Sequence, residues 1–298
     1  MEANAGRSRV AYFVDVFSGR AKAPFEVALS RQTRFSGIIG ERLKAAGLPQ
    51  DLTYLALIES WYNPHAYSKA AAVGMWQFMS YTGPNYGLAI NKVVDERRDP
   101  ERATRAAAQY LLALYRRYGD WYLALAAYNC GEGCVDRAIQ RTGYADFWEL
   151  RRLHALPLAT TNYVPEILAM TIMFKNAESY DLSFDPDPAL EYDNAVMDAD
   201  TSLNLVATAI DRPVGQLKQL NPGLLQTIAP KGYALHLPVG STEPLKDALE
   251  VVPPAQRKSA RIHLVGEDDT FATLAKKYGT TAARLTALNE GMLDRKST

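Results

Sequence analysis

In the stretch LPQDLTYLALIESWYNPHAYS, Leu48, Leu52, Leu55 and Ala56 recur at helical spacing, and Glu59 is the next position on that face. The spacing predicts a carboxyl that points inward. Burial disfavours the charged form of a carboxyl, so a Glu among apolar groups keeps its proton near neutrality. A proton held there can be donated to a leaving group. The competing reading is a Glu at a helix end that caps a turn or pairs with an arginine.

Other polar groups gather at the turns that follow. Ser60 is next in the chain, NPHAYS supplies Asn63 and Ser68, and AVGMWQFM sets Gln77 after a turn at Gly74, among Met75, Trp76 and Met79. Bulky apolar groups around one amide and one carboxyl suit a dry cleft for an uncharged polar polymer such as a glycan. No Asp or Glu occurs between Ser60 and Val94, where DERRDP begins at Asp95. Most glycosidases place a carboxylate on each side of the scissile bond, so a local second carboxylate is missing. Asp95, Glu132 and Glu166 are more distant candidates, whose neighbours favour ion pairs and turns.

Helices must position these groups. FSGIIGERLKAAG predicts an amphipathic helix closed by Gly47, and Pro49 opens the helix that carries Glu59. DPERATRAAAQYLLALYRRYG predicts the strongest helix, with a stripe through Ala107, Tyr110, Leu111, Leu114 and Tyr118 and a stop at Gly119. DWYLALAAYNCGEG predicts a shorter one broken by Gly131 and Gly133. In LATTNYVPEILAMTIMFKNA, Pro165 is expected in the first turn or at a kink.

The composition changes at SFDPDPALEYD, which reads as a linker. Two similar segments follow. DADTSLNLVATAIDRPVGQLKQLNPGLL and GEDDTFATLAKKYGTTAARLTALNEGML each give an acidic-Thr turn, two helices and an Asn, with YALHLPVG and RIHLV as flanking strands. STEPLKDALEVVPPAQRKSA between them reads as a flexible spacer.

Lys and Arg total 33, balanced by 33 Asp and Glu, so net charge gives no reason to expect nucleic acid or an acidic membrane surface as partner. No apolar run approaches the roughly 18 residues of a transmembrane helix. The expectation is a soluble chain, either cytoplasmic or lacking an export or lipid-anchoring segment replaced by the initial Met. Cys130 and Cys134 are the only cysteines; a local disulfide and two buried thiols both fit, and the four His lack metal-ligand pairing, so no metal is expected.

The motifs LALIESWYNPHAYS, AVGMWQFM, TGPNYGL, VDERRDP, LAAYNCGEG and TTNYVPEIL, in that order, resemble the lytic transglycosylases of the soluble-lytic-transglycosylase type, most nearly the membrane-bound lytic transglycosylase D group. The two later segments are similar to lysin motifs (LysM), small βααβ modules that bind glycans containing N-acetylglucosamine. The resemblance implies a mainly α fold, with a lysozyme-like helical catalytic domain over residues 1–184. It also implies a degenerate LysM-like module over 185–240, a linker over 241–260 and a second, apparently incomplete, LysM-like module over 261–298.

It further implies that Glu59 protonates the glycosidic oxygen between N-acetylmuramic acid and N-acetylglucosamine, then takes the proton of the muramyl C6 hydroxyl to give a 1,6-anhydro product. One carboxylate would then suffice. Ser60, Ser68 and Gln77 match polar groups that meet the glycan, Met75 and Met79 the apolar lining, and Tyr128 and Asn129 the Ala-Tyr-Asn motif. Tyr163 matches a tyrosine that orients the carboxyl, and Asp269, Thr270 and Asn289 match LysM glycan-binding positions.

No cofactor is called for. Peptidoglycan strands are the implied partner, and the periplasm or the inner face of a Gram-negative outer membrane is the implied location. Two alternatives carry their own expectations. A goose-type-lysozyme-like hydrolase needs a second carboxylate or a positioned water opposite Glu59, and a non-catalytic peptidoglycan-binding scaffold needs only the LysM-like segments.

Overall fold

Helices dominate the computed structural model, which describes residues 2–259, 263, 265–266 and 268–293. Eight of them precede the first strand: α1 Glu2–Ser18, α2 Lys22–Ala45, α3 Thr53–Ser60, α4 Pro100–Tyr118, α5 Trp121–Cys130, α6 Glu132–Thr142, α7 Phe147–Arg152 and α8 Leu158–Lys175. They belong to the first of two units, which comprises Met1–Glu191 and Pro222–Leu225. Helix α8 packs against α1, α3 and α5, and α4 packs against α2 and α5. Leu29, Leu43, Leu55, Trp76, Leu111 and Met170 lie in the resulting core.

Local chemistry sets the helix ends nearest the site. Asp99 caps α4, its Oδ1 accepting from the Arg102 N–H at 2.9 Å, with Pro100 in the first turn and Gly119 at the left-handed stop. Its stripe is buried through Ala107, Tyr110, Leu111 and Leu114. Helix α3 stops because Trp61 and Tyr62 both adopt left-handed backbone, at φ 55° and 54°. Each such residue costs on the order of 1–3 kcal/mol. Tyr62 is fully buried and donates its hydroxyl to the Thr53 carbonyl at 2.9 Å, which offsets that cost.

Pro165 stands inside α8, beyond its first turn. It cannot donate to the Thr161 carbonyl one turn earlier. Arg151 Nε donates to that carbonyl instead, at 3.2 Å. Gly133 likewise does not break a helix: Gly131 alone separates α5 from α6, and Gly133 lies within α6.

The second unit comprises Tyr192–Asn221 and Gln226–Thr298. Strand β1 (Asp193–Val196) pairs antiparallel with β4 (Ala234–Leu237), and β2 (Thr201–Ser202) pairs with β3 (Ile228–Ala229). Between them lie α9 (Leu203–Ala209) and α10 (Val214–Leu220). Asn221 ties helix to strand: its Nδ2 donates to the Leu217 and His236 carbonyls, each at 2.8 Å, and its Oδ1 accepts from the His236 N–H at 2.9 Å.

Residues 241–259, expected as part of a flexible spacer over 241–260, are structured. They include α11 (Thr242–Val251), which buries Leu245, followed by the buried Arg257. Arg257 donates to the Leu249 and Val252 carbonyls and pairs with Asp198. Helices α12 (Phe271–Tyr278) and α13 (Ala282–Leu293) complete the described chain. Parts of the expected strand RIHLV, and the residues after 293 on which the incompleteness of the last module turns, lie outside the described residues. The fold is mainly α with small α+β modules.

Candidate active site

Glu59 ends α3 one residue before its buried last position, Ser60, and its carboxyl accepts a hydrogen bond from the Tyr163 hydroxyl of α8. Leu52, Leu55 and Ala56 on the same face are buried, as their spacing required. Glu59 itself is partly exposed, so a proton on it can still be reached. Desolvation pushes its pKa up to about 7, and the Tyr163 hydrogen bond pulls in the opposite direction. Tyr163 and Tyr128 are held well above the ordinary phenol value, first by burial and then by the Glu59 charge. Both therefore remain donors.

Residues 66–79 form a folded loop beside Glu59, with bridges pairing Val73 with Tyr67 and Phe78. Three side chains grip its carbonyls. Ser60 Oγ donates to the Met75 carbonyl and Tyr128 Oη to the Trp76 carbonyl, each at 2.8 Å, and Arg97 Nη1 donates to those of Ala71 and Phe78 at 3.2 and 3.1 Å. Trp76 is fully buried, and its indole N–H donates to Thr104 Oγ1 at 2.9 Å. Gly74 turns the loop at φ 86°, and Gln77 follows in the left-handed region at φ 50°.

The residues singled out from the sequence fall into distinct positions. Glu59 and Tyr163 are bonded, and Tyr128 lies within electrostatic reach of Glu59. Ser60 is buried, its hydroxyl engaged with the loop backbone through the Met75 carbonyl. Ser68 and Gln77 are partly exposed at the two ends of the loop; Ser68 Oγ accepts from the Ala72 N–H at 3.0 Å. Met75 is buried and Met79 partly exposed. Asn129 is exposed, its Oδ1 accepting from Thr160 Oγ1 at 2.8 Å.

The LysM positions lie in the second unit. Thr270 caps α12 through reciprocal bonds with Thr273, Asp269 accepts from the Gly266 N–H and the His263 ring, and Asn289 Nδ2 donates to the Leu285 carbonyl.

Of the distant carboxylates, Asp95 is buried in a bidentate pair with Arg97, its oxygens 2.9 and 2.8 Å from Nε and Nη2. Glu166 lies one turn beyond Tyr163; burial raises its pKa and the Arg9 charge opposes the shift. Cys130 and Cys134 form a disulfide across Gly131, directly after Tyr128 and Asn129. Among the described residues no His, Cys, Asp and Glu group could hold a metal ion, and no helix is long and apolar enough to cross a membrane.

Residues 37–151 match the transglycosylase SLT domain, 191–253 the LysM-like domain of lytic transglycosylase MltD, and 263–295 the LysM domain. The chain carries an SLT domain followed by LysM-like domains. It is 31% identical over 274 residues to the membrane-bound lytic murein transglycosylase D of Escherichia coli K12, covering 85% of this chain and 59% of that protein. It thus spans little more than half of that relative's length. A peptidoglycan transglycosylase of Escherichia phage T7, gp16, is 37% identical over 102 residues, or 33% of this chain and 8% of that one. The 70 kDa soluble lytic transglycosylase of Escherichia coli shares 23% identity over 48% of this chain and 24% of its own, with a TM-score of 0.42.

The Glu59 face and the motifs around it were visible in the sequence, whereas the grip of Arg97 on the loop and of Arg151 on α8 was not. Both arginines bond backbone carbonyls, which every residue has, so side-chain identity gives no signal for the acceptor. For Arg97 the one available cue was the charged DERRDP cluster, which ends a stretch from Ser60 to Val94 without Asp or Glu.

Proposed function

We propose that this SLT-domain chain is a peptidoglycan lytic transglycosylase and that Glu59 performs both proton transfers. The observation that carries this reading is a carboxyl with a pKa of about 7, hydrogen-bonded by Tyr163 and still accessible. Such a group holds a proton in a useful fraction of molecules at neutrality and ionises without a large penalty, as successive acid and base roles require.

Protonated Glu59 donates to the oxygen linking N-acetylmuramic acid to N-acetylglucosamine as the C1–O bond breaks. The resulting carboxylate takes the proton from the muramyl C6 hydroxyl while O6 bonds to C1. The products are a new N-acetylglucosamine terminus and a 1,6-anhydro ring, no water is consumed, and Glu59 recovers its proton. Tyr163 fixes the carboxyl's orientation, Gln77 and Ser68 meet the sugar substituents, and Met79 lines the site. Asn129 contributes an exposed carboxamide. The last LysM-like module holds the chain on glycan through Asp269, Thr270 and Asn289, and the setting is the periplasm or the outer membrane's inner face.

The test is mass spectrometry of soluble products from purified sacculi, with Glu59→Gln alongside. Expected are products ending in 1,6-anhydromuramic acid from the parent and none from the variant, since Gln cannot donate and recover a proton. Reducing-end products would instead establish hydrolysis and direct attention to Glu166. No products from either folded protein would favour a binding scaffold.

A further inference from the structure

Arg97 is a buried cation, 38 residues beyond Glu59 in the chain and outside the roles assigned above. Its guanidinium makes two kinds of contact at once. Nε and Nη2 hold the Asp95 carboxylate bidentately at 2.9 and 2.8 Å, while Nη1 donates to the carbonyls of Ala71 and Phe78. Those carbonyls bracket residues 72–77, the part of the loop that ends in Gln77. The Arg97 backbone packs on the same turn: a Cβ placed on Gly74 would lie 1.7 Å from the Arg97 carbonyl oxygen. Gly74 must therefore be glycine for its close approach as well as its φ.

The turn held in this way determines which end of the Gln77 amide faces outward. Gln77 Nε2 donates back to the Gly74 carbonyl at 2.8 Å, and the Gln77 backbone N–H donates to the same oxygen at 3.2 Å. With one N–H of its NH2 group held by the Gly74 carbonyl, Gln77 keeps Oε1 as an acceptor. An acceptor matches the N–H of an acetamido group.

Resting on the lytic transglycosylase reading, we propose that Arg97 is a positioning residue for the glycan site: clamped by Asp95, it fixes the Gly74 turn so that Gln77 Oε1 accepts a hydrogen bond from the acetamido N–H of the substrate sugar. Lysine cannot replace it, because one ammonium lacks the planar fork that grips a carboxylate and two carbonyls together.

The experiment compares Arg97→Lys with the parent, both carrying Glu59→Gln so that bound glycan survives. The probe is a tetrasaccharide of alternating N-acetylglucosamine and N-acetylmuramic acid, measured calorimetrically, with amide hydrogen exchange recorded on the same proteins. Expected are an affinity loss of about tenfold or more and exchange at the Val73, Gly74 and Gln77 amides faster by about tenfold. With Glu59 restored, the pH at which turnover falls should stay at the parent's value. Unchanged affinity beside loosened amides would overturn the positioning role, and unchanged amides would overturn the clamp.

Asp95→Asn keeps Arg97 while weakening its anchor, so it provides the same readouts should Arg97→Lys not fold. A parent that releases no 1,6-anhydro product refutes the lytic transglycosylase reading, whereas the exchange data test the clamp irrespective of product.

Discussion

In the proposed reaction, Glu59 ties catalysis and stability to the same proton. Its pKa lies at about 7 in the folded chain against an ordinary value of 4.5. Between those values the folded chain retains a proton that the unfolded chain has released, so this group's contribution to stability falls as pH rises through the interval. At 1.36 kcal/mol per pKa unit the loss approaches about 3 kcal/mol. Glu59→Gln cannot ionise and is expected to melt at a higher temperature than the parent at about pH 8. Calorimetric scans should show that advantage shrinking as pH falls toward about 4.5; an equal advantage at both ends would mean that the Glu59 charge is not what destabilises. Turnover begins with the protonated form and should decline as pH rises through about 7. Tyr163→Phe removes the hydrogen bond that lowers the Glu59 pKa, so this decline should move to higher pH while the rate falls by about 10- to 100-fold, measured as a pH-rate profile on soluble glycan. An unmoved profile would detach Tyr163 from the carboxyl.

The helices are where sequence and structure can be compared element by element. Periodicity located the Glu59 face because its apolar neighbours stand one turn apart and all of them are buried. It also located α4, whose Ala-rich stripe, N-terminal Pro and terminal Gly agree with one another. It did not show how α8 accommodates Pro165, since the compensation for the missing N–H comes from Arg151 on α7, a tertiary contact with no local signature. A buried carbonyl left unsatisfied costs about 1–3 kcal/mol. Arg151→Met keeps much of the apolar stem and removes the donor, so denaturant unfolding should register a loss of that size; an unchanged midpoint would mean that the Thr161 carbonyl needs no external donor. The close pair of cysteines was compatible with thiols or a disulfide, because spacing alone does not fix side-chain geometry across a helix junction; the structure pairs them across Gly131. The loop at 66–79 shows the same limit more sharply: its turn at Gly74 was readable, but the left-handed Gln77 and the carbonyls that anchor it were not.

For the molecule as a whole, the two units divide the work proposed for it, with Glu59 in the first and the LysM-like modules in the second. The residues from 241 to 259 decide where the second can be cut. Arg257 lies beyond α11, yet its carbonyl accepts from the Ser202 N–H at 3.0 Å, and its guanidinium pairs with Asp198 between β1 and β2. A chain ending at Gly240 would lose both partners and the burial of Leu245 and Val252, leaving a backbone donor and apolar surface uncovered in the first LysM-like module. A chain ending at Ser259 would keep them and lose only the last module. The shorter chain should therefore lose the unfolding transition of the second unit, while the longer one retains it, as followed by calorimetry. Binding to purified sacculi then isolates the last module's contribution. The chain ending at Ser259 is expected to bind more weakly than the full chain while cleaving soluble glycan at the same rate, because Glu59, Tyr163 and the loop they meet all lie in the first unit. Equal sacculus binding by these two chains would assign the targeting to residues before 260 and leave Asp269, Thr270 and Asn289 without a glycan-binding role.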